Sequence, residues 1–279
     1  MARVESPLHR DMEALHMVRS GYRRLLCLIG AIGLLIAVAV AGIAAADAPV
    51  RVEVGNLVVT ADGGLTPKAI SKTKLTPVAF HASGKIETKD HTHPPALTEV
   101  LIEGDRNVAV NTKGLPSCPS GQLQSRDTAA AKTACDKSLV GTGTTTVQVQ
   151  FPEQKPIDVN SELLVFNGGQ KGGVTTLYIH AYFSAPVTGA IVTTVKIKQI
   201  KKGRYGILST ATIPKIAGGS GSVTSFSLKI DRKYTFKGKR MSVISAKCPD
   251  GKIQAKATAK FTDGTAATAG IIRGCTGKS

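Results

Sequence analysis

Tryptophan is absent from the 279-residue chain, and Phe, Tyr and Trp together make up only 4% of it. Because few aromatic side chains can stack on bases, the composition argues against sequence-specific nucleic-acid binding. Acidic residues are also scarce: 19 Asp and Glu face 36 Lys and Arg, and the formal net charge is +17. This imbalance predicts attraction to an anionic partner, such as a cell-wall polymer or a membrane surface.

Catalytic motifs are missing as well. The chain contains no Gly-x-Ser-x-Gly nucleophile elbow, no His-Glu-x-x-His zinc motif and no phosphate-binding Gly-x-x-x-x-Gly-Lys sequence. Its carboxylates are scattered, so no pair of them is indicated as the acid and base of a glycosidase. We therefore expect a protein without catalytic residues and without a cofactor.

The N-terminal segment has the three parts of an export signal. Three arginines within residues 19–24 precede residues 25–46, an apolar run that carries no charge. Small alanines end this run, and a signal peptidase accepts such residues, so we expect cleavage between Ala46 and Asp47. The pattern predicts that residues 1–46 are a signal peptide and that the rest of the chain is exported.

Two questions stay open in this segment. The apolar run is long enough to span a bilayer of about 30 Å, so an uncleaved membrane anchor also fits. Translation from Met17 instead of Met1 would leave a compact basic segment before the run. The protein is secreted or associated with the cell envelope in either case, and membrane-anchored if the signal is not cleaved.

The cysteines agree with export. Cys27 lies in the apolar run and would be lost with a cleaved signal, which leaves four. An even number in an oxidising compartment predicts two disulfides. A zinc site is disfavoured because its thiolate ligands normally come in close pairs. Three connectivities are open, and we favour the local one, Cys118 with Cys135 and Cys248 with Cys275.

Alternating apolar and polar residues predict β-strands throughout the rest of the chain. In residues 252–261, Ile253, Ala255 and Ala257 alternate with Lys and Gln, as in a strand with one face on a core. Strands of this length, separated by turn residues, predict an all-β fold, an antiparallel β-sandwich of jelly-roll or immunoglobulin-like type. Further predicted strands cover residues 50–60, 97–103, 147–151, 163–166, 174–184, 191–200 and 226–230.

One segment differs from the strands. Residues 125–137 are rich in Ala and begin with residues that can cap a helix, so they predict a short helix between two cysteines. No low-complexity linker divides residues 47–279, and we therefore expect a single exported sandwich domain with this helical insert. Two immunoglobulin-sized halves, each with one disulfide, are the alternative.

Four short stretches carry a resemblance. They read Gly-Leu-Pro-Ser-Cys at 114–118, Thr-His-Pro-Pro-Ala-Leu at 92–97, Gly-Arg-Tyr-Gly at 203–206 and Ala-Lys-Cys-Pro-Asp-Gly at 246–251. In these stretches the chain resembles a group of uncharacterised secreted proteins from high-GC Gram-positive bacteria. The resemblance covers most of the exported part and implies export and an all-β fold, but no activity and no site.

Histidines are the candidate reactive side chains. His91 and His93 are two residues apart and would project to one side of a strand, as metal ligands can. Tyr178, His180 and Tyr182 would share one face of another strand, where a histidine can exchange a proton near neutral pH. Packing on the outer face of a sandwich explains that stripe equally well. These residues support the alternative function, a secreted metal-dependent enzyme or hydrolase.

Two basic clusters are candidates for contact with a polyanion. Exposed lysines also keep strand edges from pairing, which is the simpler explanation of such clusters. Since residues 201–204 lie in a predicted turn, we expect charge reversal there to leave the fold intact. The first cluster comprises Lys196, Lys198, Lys201, Lys202 and Arg204, and the second comprises Arg232, Lys233, Lys237, Lys239 and Arg240.

Together these patterns favour one hypothesis. The protein is an exported cell-envelope or secreted β-sandwich with a structural or binding role, and it associates with anionic polymers of the envelope through its basic surface.

Overall fold

The computed structural model describes residues 48–279. The predicted signal peptide, both candidate start methionines and the cleavage site between Ala46 and Asp47 lie outside the described residues. No helix within residues 48–279 is long and apolar enough to cross a membrane.

Strands make up most of the described chain, together with one α-helix, α1 (Thr128–Cys135), so the all-β expectation is confirmed. The strands are β1 (Val50–Val54), β2 (Leu57–Thr66), β3 (Ala69–Ser71), β4 (Thr76–Pro77), β5 (Ala79–Thr88), β6 (Leu97–Asp105), β7 (Val108–Val110), β8 (Leu139–Val149), β9 (Ile157–Lys171), β10 (Val174–Phe183), β11 (Gly189–Lys202), β12 (Tyr205–Thr212), β13 (Gly221–Ile230), β14 (Lys233–Phe236), β15 (Lys239–Ser242), β16 (Ile244–Ala246), β17 (Lys252–Phe261), β18 (Ala266–Gly274) and β19 (Thr276–Lys278).

Twelve of these strands form one antiparallel sheet. Their order is β1-β2-β5-β13-β8-β9-β10-β11-β12-β6-β17-β18. Strands far apart in the sequence are neighbours, since β13 pairs with β5 and β17 pairs with β6. The main sheet therefore combines strands from the N-terminal and the C-terminal parts of the described chain.

The two ends of this sheet meet. β1 and β18 lie side by side, although no backbone ladder joins them in the part of the chain that the structure describes. β1 pairs with β2 only up to Ala61, whose partner is Val50. The sheet therefore curls around an interior that is lined by side chains from all twelve strands.

Smaller sheets close one end of this interior. β4, β16 and β7 form a three-stranded sheet, and β3 pairs in parallel with β19. Ile70 of β3 and Ile244 of β16 are buried in one cluster with Val165 and Val195 of the main sheet. Burial of an aliphatic side chain of this kind stabilises the fold by roughly 1.5–3 kcal/mol.

The strand β17 shows how the sequence specifies this arrangement. Its observed bounds, Lys252–Phe261, are those predicted. Ile253, Ala255 and Ala257 line the interior, whereas Lys252 and Lys260 are exposed. A period of two thus places one face of the strand on the core and the other in water.

One strand prediction is wrong in its extent. Residues 50–60 form two strands, β1 and β2, because the chain reverses between them. Gly55 adopts a φ of 58° in this turn, a conformation that side chains disfavour.

The helical insert lies on the outer face of the sheet. The carboxylate of Asp127 accepts a hydrogen bond of 2.7 Å from the N–H of Ala130, which caps α1. Ala131 of this helix is buried in a cluster with Leu164 and Phe166 of β9. The packing fixes the insert over β9 and β10.

Both disulfides have the local connectivity that the sequence favours. Cys118 bonds to Cys135 at the end of α1, and the bond ties the two ends of the insert together. Cys248 bonds to Cys275, between β18 and β19.

Candidate functional site

The interior of the curled sheet contains a cavity of about 490 Å³. Ligand sites in proteins typically measure about 300–1,000 Å³, so its volume is that of a binding site. Protein cores are otherwise close-packed, with few voids larger than a water molecule. Its walls are mostly aliphatic and aromatic side chains, including Ile86, Val147, Leu177, Ile207 and Phe226.

Alanines on β17 and β18 leave this space open. Ala257 is paired with Ala269, and Ala259 is paired with Ala267, across the two strands. All four line the cavity. Because an alanine side chain is a single methyl group, this side of the sheet contributes little volume to the interior.

Polar groups gather at one end of the cavity. Asp105 accepts a hydrogen bond from the backbone of Gln254, and Arg273 is paired with the neighbouring Ile253. Arg273 also contacts Asp62. The opposite end is apolar and is lined by Leu97, Phe183, Ile213, Ile216 and Val223. The charged side chains of the lining therefore lie at one end, which also has apolar walls from Leu65, Ile70 and Ile244.

A side-chain ion pair spans the junction between β2 and β18 at the polar end. An Nη atom of Arg273 lies 2.5 Å from Oδ1 of Asp62 and 3.1 Å from the carbonyl oxygen of Ala48. Partial burial raises the pKa of the Asp62 carboxyl, but hydrogen bonds from Arg273 and from the N–H of Gly63 outweigh it, so the pKa is lowered.

No backbone ladder joins β2 to β18 within residues 48–279. Residues 62–66 of β2 extend beyond the end of β1 and pair only with β5. Asp62, Leu65, Arg273 and Gly274 from both sides of this junction line the cavity. We call the junction between residues 62–66 and 272–274 the seam.

Two of the five residues of the first predicted basic cluster, Lys202 and Arg204, pair with carboxylates. Nζ of Lys202 lies 2.6 Å from Glu103, whose pKa is lowered by hydrogen bonds from Lys202 and Lys256. Arg204 bonds to Asp250 and, at 2.7 Å, to Asp105. The remaining members, Lys196, Lys198 and Lys201, are exposed.

The second predicted cluster forms an exposed hairpin, β14–β15. Its turn is built by Lys237 and Gly238, both with positive φ. Tyr234 holds the hairpin to the body by donating a hydrogen bond of 3.0 Å to the carbonyl of Lys113. Five cations with no carboxylate partner in the described chain lie on it or next to it: Arg232, Lys233, Lys237, Lys239 and Arg240.

The structure separates the two candidate metal ligands. His91 is exposed, while both ring nitrogens of His93 have protein partners: Oε1 of Gln148 at 3.0 Å and Oγ of Ser222 at 3.1 Å. Ser222 is 1% exposed, and its hydroxyl donates a hydrogen bond of 2.7 Å to the carbonyl oxygen of Pro94. This buried network anchors the loop before β6. No group of three potential metal ligands forms in residues 48–279.

His180 lies beneath the helical insert. It is fully buried, and its Nε2 lies 2.9 Å from the carbonyl oxygen of Arg126. Its Nδ1 has no hydrogen-bond partner among the described residues. Burial lowers the pKa of the ring, and the bond to Arg126 and the charge of Asp127 oppose that effect only in part. A neutral, covered imidazole supports the packing interpretation of the Tyr178, His180 and Tyr182 stripe.

The sequence reasoning missed the cavity itself. Alternation identified the inward face of β17. The signal for a void was also in the sequence, because the residues on that face are mostly small alanines. Compared with protein-family models, curated proteins and solved structures, the chain matches none of them.

Proposed function

We propose that the protein is an exported, non-enzymatic binding protein that holds an apolar ligand inside its curled sheet. The observation that carries this proposal is the cavity of about 490 Å³ with its mostly apolar walls. An apolar cavity stays dry, so a ligand entering it displaces little bound water. Each CH₂ group transferred from water adds about 0.8 kcal/mol of favourable free energy.

The architecture we infer is a flattened sandwich, in which two facing layers of the one sheet enclose the ligand. Export is supported by the two disulfides and by the signal-like N-terminus. The proposed location is the cell envelope or the medium, as in the secreted bacterial proteins that the sequence resembles.

The test uses the protein purified as its host exports it. Binding of a fluorescent apolar probe such as cis-parinaric acid is titrated, and co-purifying lipids are extracted and identified by mass spectrometry. Ala257→Trp places an indole in the cavity and should abolish probe binding. Thr268→Trp adds the same group to an exposed position of β18 and should leave binding unchanged.

Circular dichroism on both variants checks that the fold is retained. An Ala257→Trp variant that folds and binds the probe as the wild type does would contradict a ligand site in the interior.

The exposed hairpin supports a second proposal, association with anionic polymers or surfaces of the envelope. Its five cations have no carboxylate partner in the part of the chain that is described, so their charge faces the solvent. A cationic surface of this kind binds phosphate-rich polymers by releasing their counterions. This role is compatible with ligand binding, because the hairpin lies outside the cavity.

A further inference from the structure

The charged side chains that line the cavity, Asp62, Lys68, Asp105 and Arg273, lie at its polar end. Asp62 and Arg273 lie on the two sides of the seam, and His81 pairs with Gly64 on the adjacent strand. Gly64 makes this grouping possible, because a Cβ there would lie 2.9 Å from Cε1 of His81 and 3.7 Å from Cγ of Arg273. A methyl group at position 64 would displace the His81 ring and would touch the Arg273 side chain at ordinary van der Waals distance.

Arg273 has donors to spare. Its Nη atoms donate to the carbonyl oxygens of Ile272 and Ala48 and to the carboxylate of Asp62. A guanidinium has five N–H groups, so two of them, including the Nε–H, have no acceptor within the described residues. The Arg273 side chain is only 11% exposed, but its nitrogens are not among the fully buried unpaired atoms of residues 48–279, so an oxygen acceptor can approach the remaining N–H groups.

Resting on the proposed function, we propose that the ligand is a single-chain amphiphile with an acidic head group, bound with its tail in the apolar end and its head at Arg273. The guanidinium makes charge-assisted hydrogen bonds to carboxylate or phosphate oxygens. The apolar far end, lined by Leu97, Phe183 and Ile213, takes the hydrocarbon tail.

The same geometry makes the seam the access route. Side chains close the junction between residues 62–66 and 272–274. Within residues 48–279, no backbone ladder joins β18 to β2 or to β1, whereas ladders join the strands that follow one another in the order of the main sheet. Breaking one ion pair costs far less than opening a ladder of hydrogen bonds. A ligand carboxylate that approaches Arg273 competes with Asp62 and thereby loosens the seam.

The experiment compares ligands that share a sixteen-carbon chain and differ in the head group. Affinities are measured by competition with the fluorescent probe for the exported protein. The competitors are palmitic acid, hexadecanol and hexadecylamine, and 1-palmitoyl lysophosphatidic acid supplies a phosphate head group. We expect both acids to bind about tenfold more tightly than the amine, a difference of about 1.4 kcal/mol. If only palmitic acid or only the lysophosphatidic acid binds, the site prefers a carboxylate or a phosphate head group, respectively.

Three variants locate the head group. Arg273→Gln should remove the preference for acids and leave hexadecanol binding unchanged, whereas Arg273→Lys should restore part of it. Asp62→Asn removes the carboxylate that competes for Arg273 and should tighten palmitic acid binding. Its expected effect is therefore opposite to that of Arg273→Gln. Arg51→Gln, on the exposed face of β1, is the control and should change nothing.

The outcomes separate the two proposals. Equal binding of acid, alcohol and amine, or an acid preference that survives Arg273→Gln, would overturn the head-group inference and leave the proposed function standing. Failure of every ligand and of the probe to bind would overturn both.

Discussion

Nε of Arg204 lies 2.7 Å from Oδ2 of Asp105, a carboxylate whose side chain has no exposed surface. Asp105 also accepts hydrogen bonds from the backbone N–H groups of Asn107 and Gln254, so its charge is balanced inside the protein. The basic turn between β11 and β12 therefore has a structural role.

Arg204→Met should destabilise the fold strongly. Removing one partner of a buried ion pair leaves the other charged and unpaired, which costs about 3–5 kcal/mol. Urea denaturation measures the loss. Lys202→Met is the matched control and should cost about 1 kcal/mol or less, because Lys202 is exposed and Glu103 keeps Lys256 as a partner.

It follows that reversing Lys201, Lys202 and Arg204 to Glu would disturb the fold as well as the surface charge. The expectation from the predicted turn, that the fold stays intact, does not fit the contact with Asp105. Equal stability of Arg204→Met and Lys202→Met would contradict the assignment of a buried pair.

Stability should decrease as the pH falls below about 6.5, the ordinary pKa of His180. The folded protein lowers this pKa, so the unfolded chain binds the proton first and acid favours unfolding. Unfolding free energies measured between pH 7.5 and 5.5 test this. His180→Gln should flatten the dependence in that range, and His91→Gln, at an exposed site, should not. Parallel pH profiles for wild type and His180→Gln would refute it.

Removing the disulfide of the helical insert should have two effects. Cys118→Ala with Cys135→Ala opens a loop of 17 residues, and the loss of chain restriction costs about 3 kcal/mol. Loosening of the insert also lets water reach His180, so the pH dependence should weaken. The Cys248→Ala with Cys275→Ala pair is the control. It should lower stability and keep the pH dependence, because it lies away from the insert.

Neutralising the hairpin should weaken retention on anionic polymer. Lys237→Gln, Lys239→Gln and Arg240→Gln remove three cations without carboxylate partners in the described chain. The control removes three paired cations, Lys85, Lys89 and Lys229, and so has the same net charge. Elution from immobilised poly(glycerol phosphate) should shift to lower salt only for the hairpin variant.

Wild-type binding to that polymer should also fall steeply between about 50 and 200 mM salt. No binding at the lower salt would show that the hairpin serves solubility alone. An equal shift for both triple variants would show that net charge, and not the hairpin, determines retention.

Period-two alternation predicted the strands and their inward faces well. It assigned Lys252–Phe261 to one strand and placed Tyr178, His180 and Tyr182 on one face of another. Such a pattern depends on neighbouring residues only, and the observed faces agree with it. The short helix after Cys118 was visible for the same reason, since its cap and its alanines are local features.

Long-range features could not be read in that way. Asp105 and Arg204 are 99 positions apart, and the partners of His93 are 55 and 129 positions away. Alternation indicates on which face of a strand a side chain lies, but it does not indicate the distance across the interior to the facing strands. The cavity and the seam depend on that distance, which is set by the curl of the whole sheet.

The meeting of β1 with β18 has a consequence for how the chain reaches its native state. The first strand of the sheet stands beside the last, so the interior cannot be enclosed until residues near the C-terminus have joined. Contacts of such high sequence separation make folding slow. A chain that stays unfolded while most of its length is synthesised can be threaded through a translocation pore. The cavity would then be completed only after β17 and β18 have joined the sheet.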